Sequence, residues 1–461
     1  MSEPARDTIE QRASLQDSRD AWLRLLASLA LMTLGGSGMY AVVVVLPSVQ
    51  AEFGVDRADA SMPYTLTMIG FGLGGILMGR LADRFGVMLP VIIGAICLGG
   101  GFIAAAAAPG IWQFTIAQGL LIGLLGSSAT FVPLVADTSL WFTRRRGIAV
   151  AICASGNYLA GAVWPPIVQH FVEEVGWRQA YFGMGLVCTL GMLPIALALR
   201  RRPPALVSSV TVHAPAGTPG AAGAALAGPA HAGRAPAVAV PGTAAPAQPR
   251  GAPASAAWPA TRPLGLSPGS LQWLLAVAGV SCCVAMSMPQ VHIVAYCGDL
   301  GYGAARGAQM LSLMLGFGIV SRLVSGVICD RIGGLRTLLL GSVLQTVALA
   351  LFLPFDSLTS LYLISALFGL FQGGIVPSYA IIVREHFAPQ EAGARVGIVL
   401  TATLLGMALG GWLSGKIFDL TGSYDAAFVN GIAWNLVNIG IVLMLIGRSR
   451  RGRLATPAAA G

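Results

Sequence analysis

The sequence predicts an all-α membrane protein, with twelve transmembrane helices in two pseudo-symmetric six-helix halves. Three observations predict it. Of 461 residues, 55% are hydrophobic and only 10% charged; a soluble globular domain has about 25% charged residues, so there are too few charges here to cover a water-facing surface. The apolar residues fall in blocks of about 20, the length that crosses about 30 Å of hydrocarbon at 1.5 Å per residue. The blocks come as six, a long polar gap, and six more.

Taken in order, a charged tail over 1–21 precedes spans near 22–46, 61–81, 87–108, 111–136, 147–170 and 178–199, which make an N-terminal half over 22–199. Spans near 270–297, 306–329, 335–354, 358–382, 393–416 and 426–447 make a C-terminal half over 270–447, followed by a tail over 448–461. Gly, Pro or a charge separates nearly every pair of runs, and such residues end helices. The interiors are rich in Gly, Ala and Ser, and the 60 glycines suit closely packed helices. Between the halves, 200–269 is Ala, Pro and Gly with almost no bulky apolar side chain. It buries too little to offset its ordering entropy and is expected to be a disordered cytoplasmic linker. The first 18 residues show no signal-peptide pattern. The seven Cys are scattered without metal-ligand spacing, so neither a metal nor a cofactor is expected.

The basic residues sort to one side. Arg6, Arg12, Arg19 and Arg24 in the tail, Arg80, Arg84, Arg144 to Arg146 and Arg200 to Arg202 in alternate loops, Arg331, Arg336, Arg384 and Arg395, and Arg448 to Arg453 all share it. The other side has Arg57, Arg178, Arg306 and Lys416, beside Glu52, Asp56, Glu173, Glu174 and Asp425. The positive-inside rule then places both termini in the cytoplasm. The net charge of +9 is topology and contact with the lipid bilayer, and no basic stretch interleaved with aromatics suggests a nucleic-acid partner.

The halves repeat. GRLADRFG (79–86) ends the second span and GVICDRIG (326–333) the eighth, and one constant offset aligns Gly79, Asp83, Arg84 and Gly86 with Gly326, Asp330, Arg331 and Gly333. Two six-span halves around a central site form a secondary-transporter architecture. GRLADRFG resembles the loop 2-3 signature of the major facilitator superfamily, although Val87 and Met88 stand where its trailing basic residues belong. The resemblance implies that Asp83, Arg84, Asp330 and Arg331 form a cytoplasmic latch, each aspartate facing a helix N-terminus and arginines of the opposite half and holding the outward-facing state. The alternative is that both aspartates merely end helices. A second stretch, WFTRRRGIAVAICASGNYLAG (141–161), with PP at 165–166, GWRQAYF (176–182), VHIVAYCGDLGYG and SRLVSG, resembles the monocarboxylate transporters and the related oxalate:formate antiporters, in their bacterial members. That implies a multi-pass protein of the bacterial inner membrane, working as a monomer.

Arg322 stands inside the eighth span, eight positions before Asp330 and so about 12 Å above that span's cytoplasmic end. The repeat puts Gly75 at the matching place, so the architecture does not require an arginine there. A central Arg is costly in hydrocarbon and is expected to line a polar cavity. No span centre carries an acid to neutralise it. A permanently charged, planar fork without a resident partner calls for an exogenous carboxylate; the alternative is gating, or pairing with an interfacial Asp. The monocarboxylate transporters resemble this chain in having an Arg at this place. They also have an Asp one turn earlier, where this chain has Gly318, and animal members a first-span Lys where it runs VVVVLP. The oxalate exchangers pair the Arg with an eleventh-span Lys, and this chain reads GIVLTATLLGMALGG. One central cation suits one carboxylate.

His292, inside the seventh span, is the candidate for proton coupling, because an imidazole charges reversibly near neutral pH; a neutral His bonded between two helices is the alternative reading. Tyr40, Asn157 and Gln372 are candidate binding residues, since the first and fourth spans and their repeats line the path in the resembled superfamily. The expectation is therefore a secondary active transporter of small carboxylates such as lactate or pyruvate, working by alternating access with proton coupling. The partners are a small anionic organic acid and protons. A drug exporter of the same fold is the first alternative, lowered by Thr115 in TIAQG, where exporters resemble one another in having an Arg, and by WPP in place of their fifth-span antiporter motif. A non-transporting receptor or assembly factor is the second. No paired catalytic carboxylates, metal cluster or Walker motif supports an enzyme or ATP drive.

Overall fold

A computed structural model describes residues 16–201 and 263–454. The helices long and apolar enough to cross a membrane number twelve among them. These are α1 (Arg19–Phe53), α2 (Arg57–Phe85), α3 (Met88–Ala106), α4 (Ile111–Trp141), α5 (Arg146–Val175) and α6 (Trp177–Arg200), then α7 (Pro268–Asp299), α8 (Ala304–Ile332), α9 (Gly334–Leu351), α10 (Leu358–His386), α11 (Gln390–Thr421) and α12 (Asp425–Arg450). Most run several residues past the apolar blocks, because the helix continues through polar ends where its hydrogen bonds cost nothing extra in water. Of the expected linker, 202–262 lie outside the described residues, as do 1–15 and 455–461 of the two tails. With twelve crossings, the tails share one end of the bundle, the tail end; the opposite end is the far end.

The tight turns at the repeated motif explain its glycines. Gly86 ends α2 with φ 88° and ψ 163°, and Gly333 ends α8 with φ 80° and ψ 164°. That region of backbone space is essentially closed to residues with a Cβ.

Three helices are interrupted. In α1 the helix breaks at Gly36, between Gly35 and Ser37. In α4 an α-helical start widens into a π-helical stretch, Ala117–Gly126, tightens to 3-10 over Ser127–Thr130, and resumes at Val132. In α10 the break is Gly373 and Gly374, between Gln372 and Ile375. The offset that aligns Asp83 with Asp330 also carries Gly126 onto Gly373, so the breaks in α4 and α10 are repeats of each other. Broken backbone inside hydrocarbon needs substitute partners. Trp164 of α5 donates its indole N–H to Thr33 O at 2.7 Å, and Gln118 of α4 donates to Gly38 O at 2.7 Å.

Close glycine contacts set the depth of the packing. A Cβ on Gly369 or Gly373 would lie 2.0 Å from Met314 O or 2.3 Å from Gly318 O, so the broken α10 lies directly on the backbone of α8. The N-terminal half is fastened at its tail end by Arg24 of α1, which holds Asp137 of α4 bidentately at 2.7 and 3.0 Å, donates to Leu199 O, and lies over the Trp141 ring. The sequence reading set Arg24 among the topology markers of the tail. The structure corrects this: the side chain is 6% exposed and its partner 5%.

Gly86→Ala and Gly333→Ala are each expected to cost about 1–3 kcal/mol through that backbone strain, read as a lower Tm in detergent. Gly100→Ala, at a helical glycine with nothing within 4 Å of an added Cβ, should leave Tm unchanged. Equal Tm for all three variants would contradict the strain argument.

Candidate functional site

Arg322 is partly buried where α8 meets α5 of the other half. Its backbone is pinned from behind, since a Cβ on Gly373 would come within 3.1 Å of Arg322 N. Its side chain points the other way, where Nη1 donates to Ala154 O of α5 at 3.0 Å and the guanidinium lies 4.6 Å from the centre of the Tyr158 ring. Nε is buried with no hydrogen-bond partner. No acid lies within ion-pair distance of Arg322 among the described residues.

The energetics separate this arginine from two others inside the bundle. Arg24 has Asp137, and Arg57 has Asp299 at 3.1 Å. Arg322 has one carbonyl, worth about 1.5–3 kcal/mol as a charged hydrogen bond, and one aromatic face, worth about 0.5–2 kcal/mol. Removing a guanidinium from water costs several kcal/mol. The Nε edge is left without a partner.

Gly318 explains the missing aspartate. A Cβ on it would lie 2.4 Å from Tyr158 Cε1. Tyr158 therefore occupies the space an acid would take one turn before the arginine, and its ring faces the charge instead. The sequence favours Tyr40, Asn157 and Gln372 as candidates, and the place of Tyr158 against the charge is set only by packing.

The remaining candidates are spread out. Tyr40 of α1 approaches the same seam farther from the tail end: a Cβ on Gly161 of α5 would meet both Tyr40 Cζ at 2.8 Å and Leu315 of α8 at 2.1 Å. Asn157 is half-buried and lies toward α1, its Oδ1 3.2 Å from a Cβ built on Gly36. Gln372 is fully buried within the C-terminal half, where its Oε1 accepts from Gln290 Nε2 of α7 at 2.7 Å and its own Nε2 has no partner. The structure thus brings Tyr40 to the Arg322 seam and holds Asn157 and Gln372 in contacts inside their own halves.

His292 is fully buried at the far-end meeting of the halves. Its Nδ1 is 3.1 Å from Tyr424 Oη and its Nε2 2.8 Å from Gly411 O. Tyr424 also accepts from Arg57 Nη1 of α2 at 3.1 Å. At the tail end, Asp83, Arg84, Asp330 and Arg331 are exposed, and none is in an ion pair among the described residues. Contacts between the halves run from the far end, at Asp419 on Arg57 and Ala58, down to Arg322 on Ala154.

The sequence model of the family described as Major Facilitator Superfamily matches residues 26–358 and 323–461. The chain is 25% identical over 388 residues to monocarboxylate transporter 13 of Rattus norvegicus, covering 84% of this chain and 78% of that one. It is 25% identical over 436 residues to monocarboxylate transporter 13 of Bos taurus, covering 94% and 91%. Among solved structures it is similar to a bacterial homolog to the human lysosomal transporter Spinster, in an inward-facing and occupied conformation, with TM-score 0.65, 13% identity, and 95% and 98% of the two chains covered.

Replacing Arg24 by Met leaves Asp137 buried alone, and is expected to cost about 3–5 kcal/mol and to lower Tm sharply in detergent. Arg322→Met strands no acid, so its Tm should stay near or above the parent's. A fall as large as that of Arg24→Met would mark Arg322 as a structural residue.

Proposed function

The chain belongs to the major facilitator superfamily of multi-pass membrane transporters, and on that footing we propose that it is a secondary active transporter of small monocarboxylates, such as lactate, pyruvate or a related organic acid. The single observation that carries the reading is a partly buried guanidinium between the halves with a ring, one carbonyl and no acid. An anion bound at the free Nε edge receives parallel N–H bonds from a fork whose geometry matches a carboxylate. Two of its relatives, monocarboxylate transporters at 25% identity over most of the chain, point the same way.

In this reading the halves rock about the loaded Arg322, with Tyr40 beside the seam. Tyr158 keeps the guanidinium oriented when no substrate is bound. The membrane is a bacterial inner membrane with both termini cytoplasmic, so the joined far end faces outward and the parted latch faces the cytoplasm. Asp83, Arg84, Asp330 and Arg331 engage when the far end opens. Asn157 and Gln372 reach the path only after the halves rearrange, and the carrier acts as a monomer.

Proton coupling runs through His292. In its neutral form Nε2–H donates to Gly411 O and Nδ1 accepts from the Tyr424 hydroxyl, whose oxygen takes the Arg57 N–H. A second proton on Nδ1 removes that acceptor and adds a positive charge near Arg57. Protonation therefore loosens the far end, from which an anion and a proton enter together.

The test is uptake of labelled short monocarboxylates into proteoliposomes under an inward proton gradient. Arg322→Ala is expected to lower uptake at sub-saturating substrate about ten- to a hundredfold, the worth of a charged hydrogen-bond pair, with Arg322→Lys between it and the parent. Full uptake by Arg322→Ala overturns the site. His292→Gln should still exchange substrate but fail to concentrate it; gradient-driven accumulation by that variant removes the proton role.

A further inference from the structure

Opposite the latch residues, at the far end, Asp419 of α11 reaches across to the other half. Its Oδ1 accepts the backbone N–H of Arg57 and its Oδ2 that of Ala58, both at 2.8 Å. Those are the first two residues of α2, whose N–H groups have no partner within their own helix. Asp56, in the capping position, makes no side-chain cap bond. A carboxylate of the C-terminal half therefore caps a helix of the N-terminal half, where the helix dipole favours negative charge. Gly415, one turn earlier on α11, makes the approach possible, because a Cβ there would lie 2.9 Å from Ala58 N and Arg57 O.

The side chain of Arg57 closes the arrangement. It donates to Asp299 of α7 at 3.1 Å and to Tyr424 Oη at 3.1 Å, and lies 4.7 Å from the Phe418 ring centre. The repeat does not require any of this. At the places of Arg57 and Asp419 it puts Ala304 of α8 and Val172 of α5, and the α5–α8 seam carries no equivalent carboxylate. Among the described residues, a carboxylate joins the halves on the α2–α11 seam and none does on the α5–α8 seam.

We propose that Asp419 and Arg57 form the far-end gate clasp of the transport cycle, with Asp419 serving as a removable cap on α2. The same two helices carry Asp83 at the opposite end, where α11 presents its own N-terminus. One seam thus has an acid near each end, and among the described residues only Asp419 caps the start of the other helix. Opening the far end breaks four hydrogen bonds, from Arg57 and Ala58 to Asp419, Asp299 and Tyr424, each with a charged group on one side. Capping at the opposite end compensates for part of that loss.

The test reads gate position and not transport, so it is independent of which anion is carried. Spin labels at Ala51→Cys and Leu420→Cys, both exposed at the far ends of α1 and α11, report the separation of the halves in the full chain without substrate, with labelling of the parent chain subtracted. Asp419→Ala is expected to raise the ratio of long to short distances about tenfold or more, the effect of losing a charged hydrogen-bond pair. Gly415→Ala, which wedges the seam without removing a charge, and Tyr424→Phe, which keeps the ring, should shift the distribution in the same direction. Unchanged distances in folded Tyr424→Phe and Gly415→Ala overturn the clasp, whether or not Asp419→Ala folds.

Discussion

A charge taken out of water must find compensation, and the placement of a few arginines in this bundle follows from that one constraint. Arg24 meets it with Asp137 and becomes a fastening of the N-terminal half. Arg57 meets it with Asp299, Tyr424 and the Phe418 ring, and joins the two halves at the far end. Arg322 meets it only partly, with Ala154 O and the face of Tyr158. The first arrangement is complete inside one half, the second spans both, and the third leaves Nε without a partner. Three buried or partly buried arginines thus differ in what completes them: an acid of the same half, an acid of the other half, or no acid among the described residues.

Internal symmetry makes these differences visible. The two halves share their loop motif, the positive-φ glycines that end α2 and α8, and the breaks in α4 and α10. What they share is the architecture. Where they differ, at Gly75 against Arg322 and at Val172 against Asp419, nothing in the scaffold demands the residue. Both differences lie where one half faces the other. The halves can diverge there without disturbing the packing within either one, which is held by glycine contacts such as Gly369 on Met314 O.

Backbone breaks and close packing are linked in the same way. A helix that breaks in hydrocarbon exposes carbonyls, and here neighbouring helices supply the donors: Trp164 for Thr33, Gln118 for Gly38. The break in α10 also presses two glycines against the turn of α8 that carries Arg322, with Gly374 against Ser325 and Gly373 against Ser321. A change in the bend of α10 therefore bears directly on the backbone of Arg322.

By itself the sequence determined the membrane class, the twelve spans, the two-half repeat and the exceptional place of Arg322, because these depend on composition, run length and offset along the chain. It also named the family, through GRLADRFG and the stretch beginning at Trp141. Tertiary structure alone decided the partners. Arg24 and Arg57 read as tail and loop charges and Asp419 drew no reading at all, and only contacts across 113 to 362 residues of chain show them to be a half-internal pair and a cross-half contact. His292 read as the proton-coupling candidate or as a neutral His bonded between two helices, and only packing gives its partners, Tyr424 and Gly411. Gly318 read as a missing acid, and the ring of Tyr158 fills its space. The reason is physical: periodicity and hydropathy report how much of a helix faces lipid, whereas the function of a buried polar group depends on which atom of another helix it meets, and that is fixed only by packing.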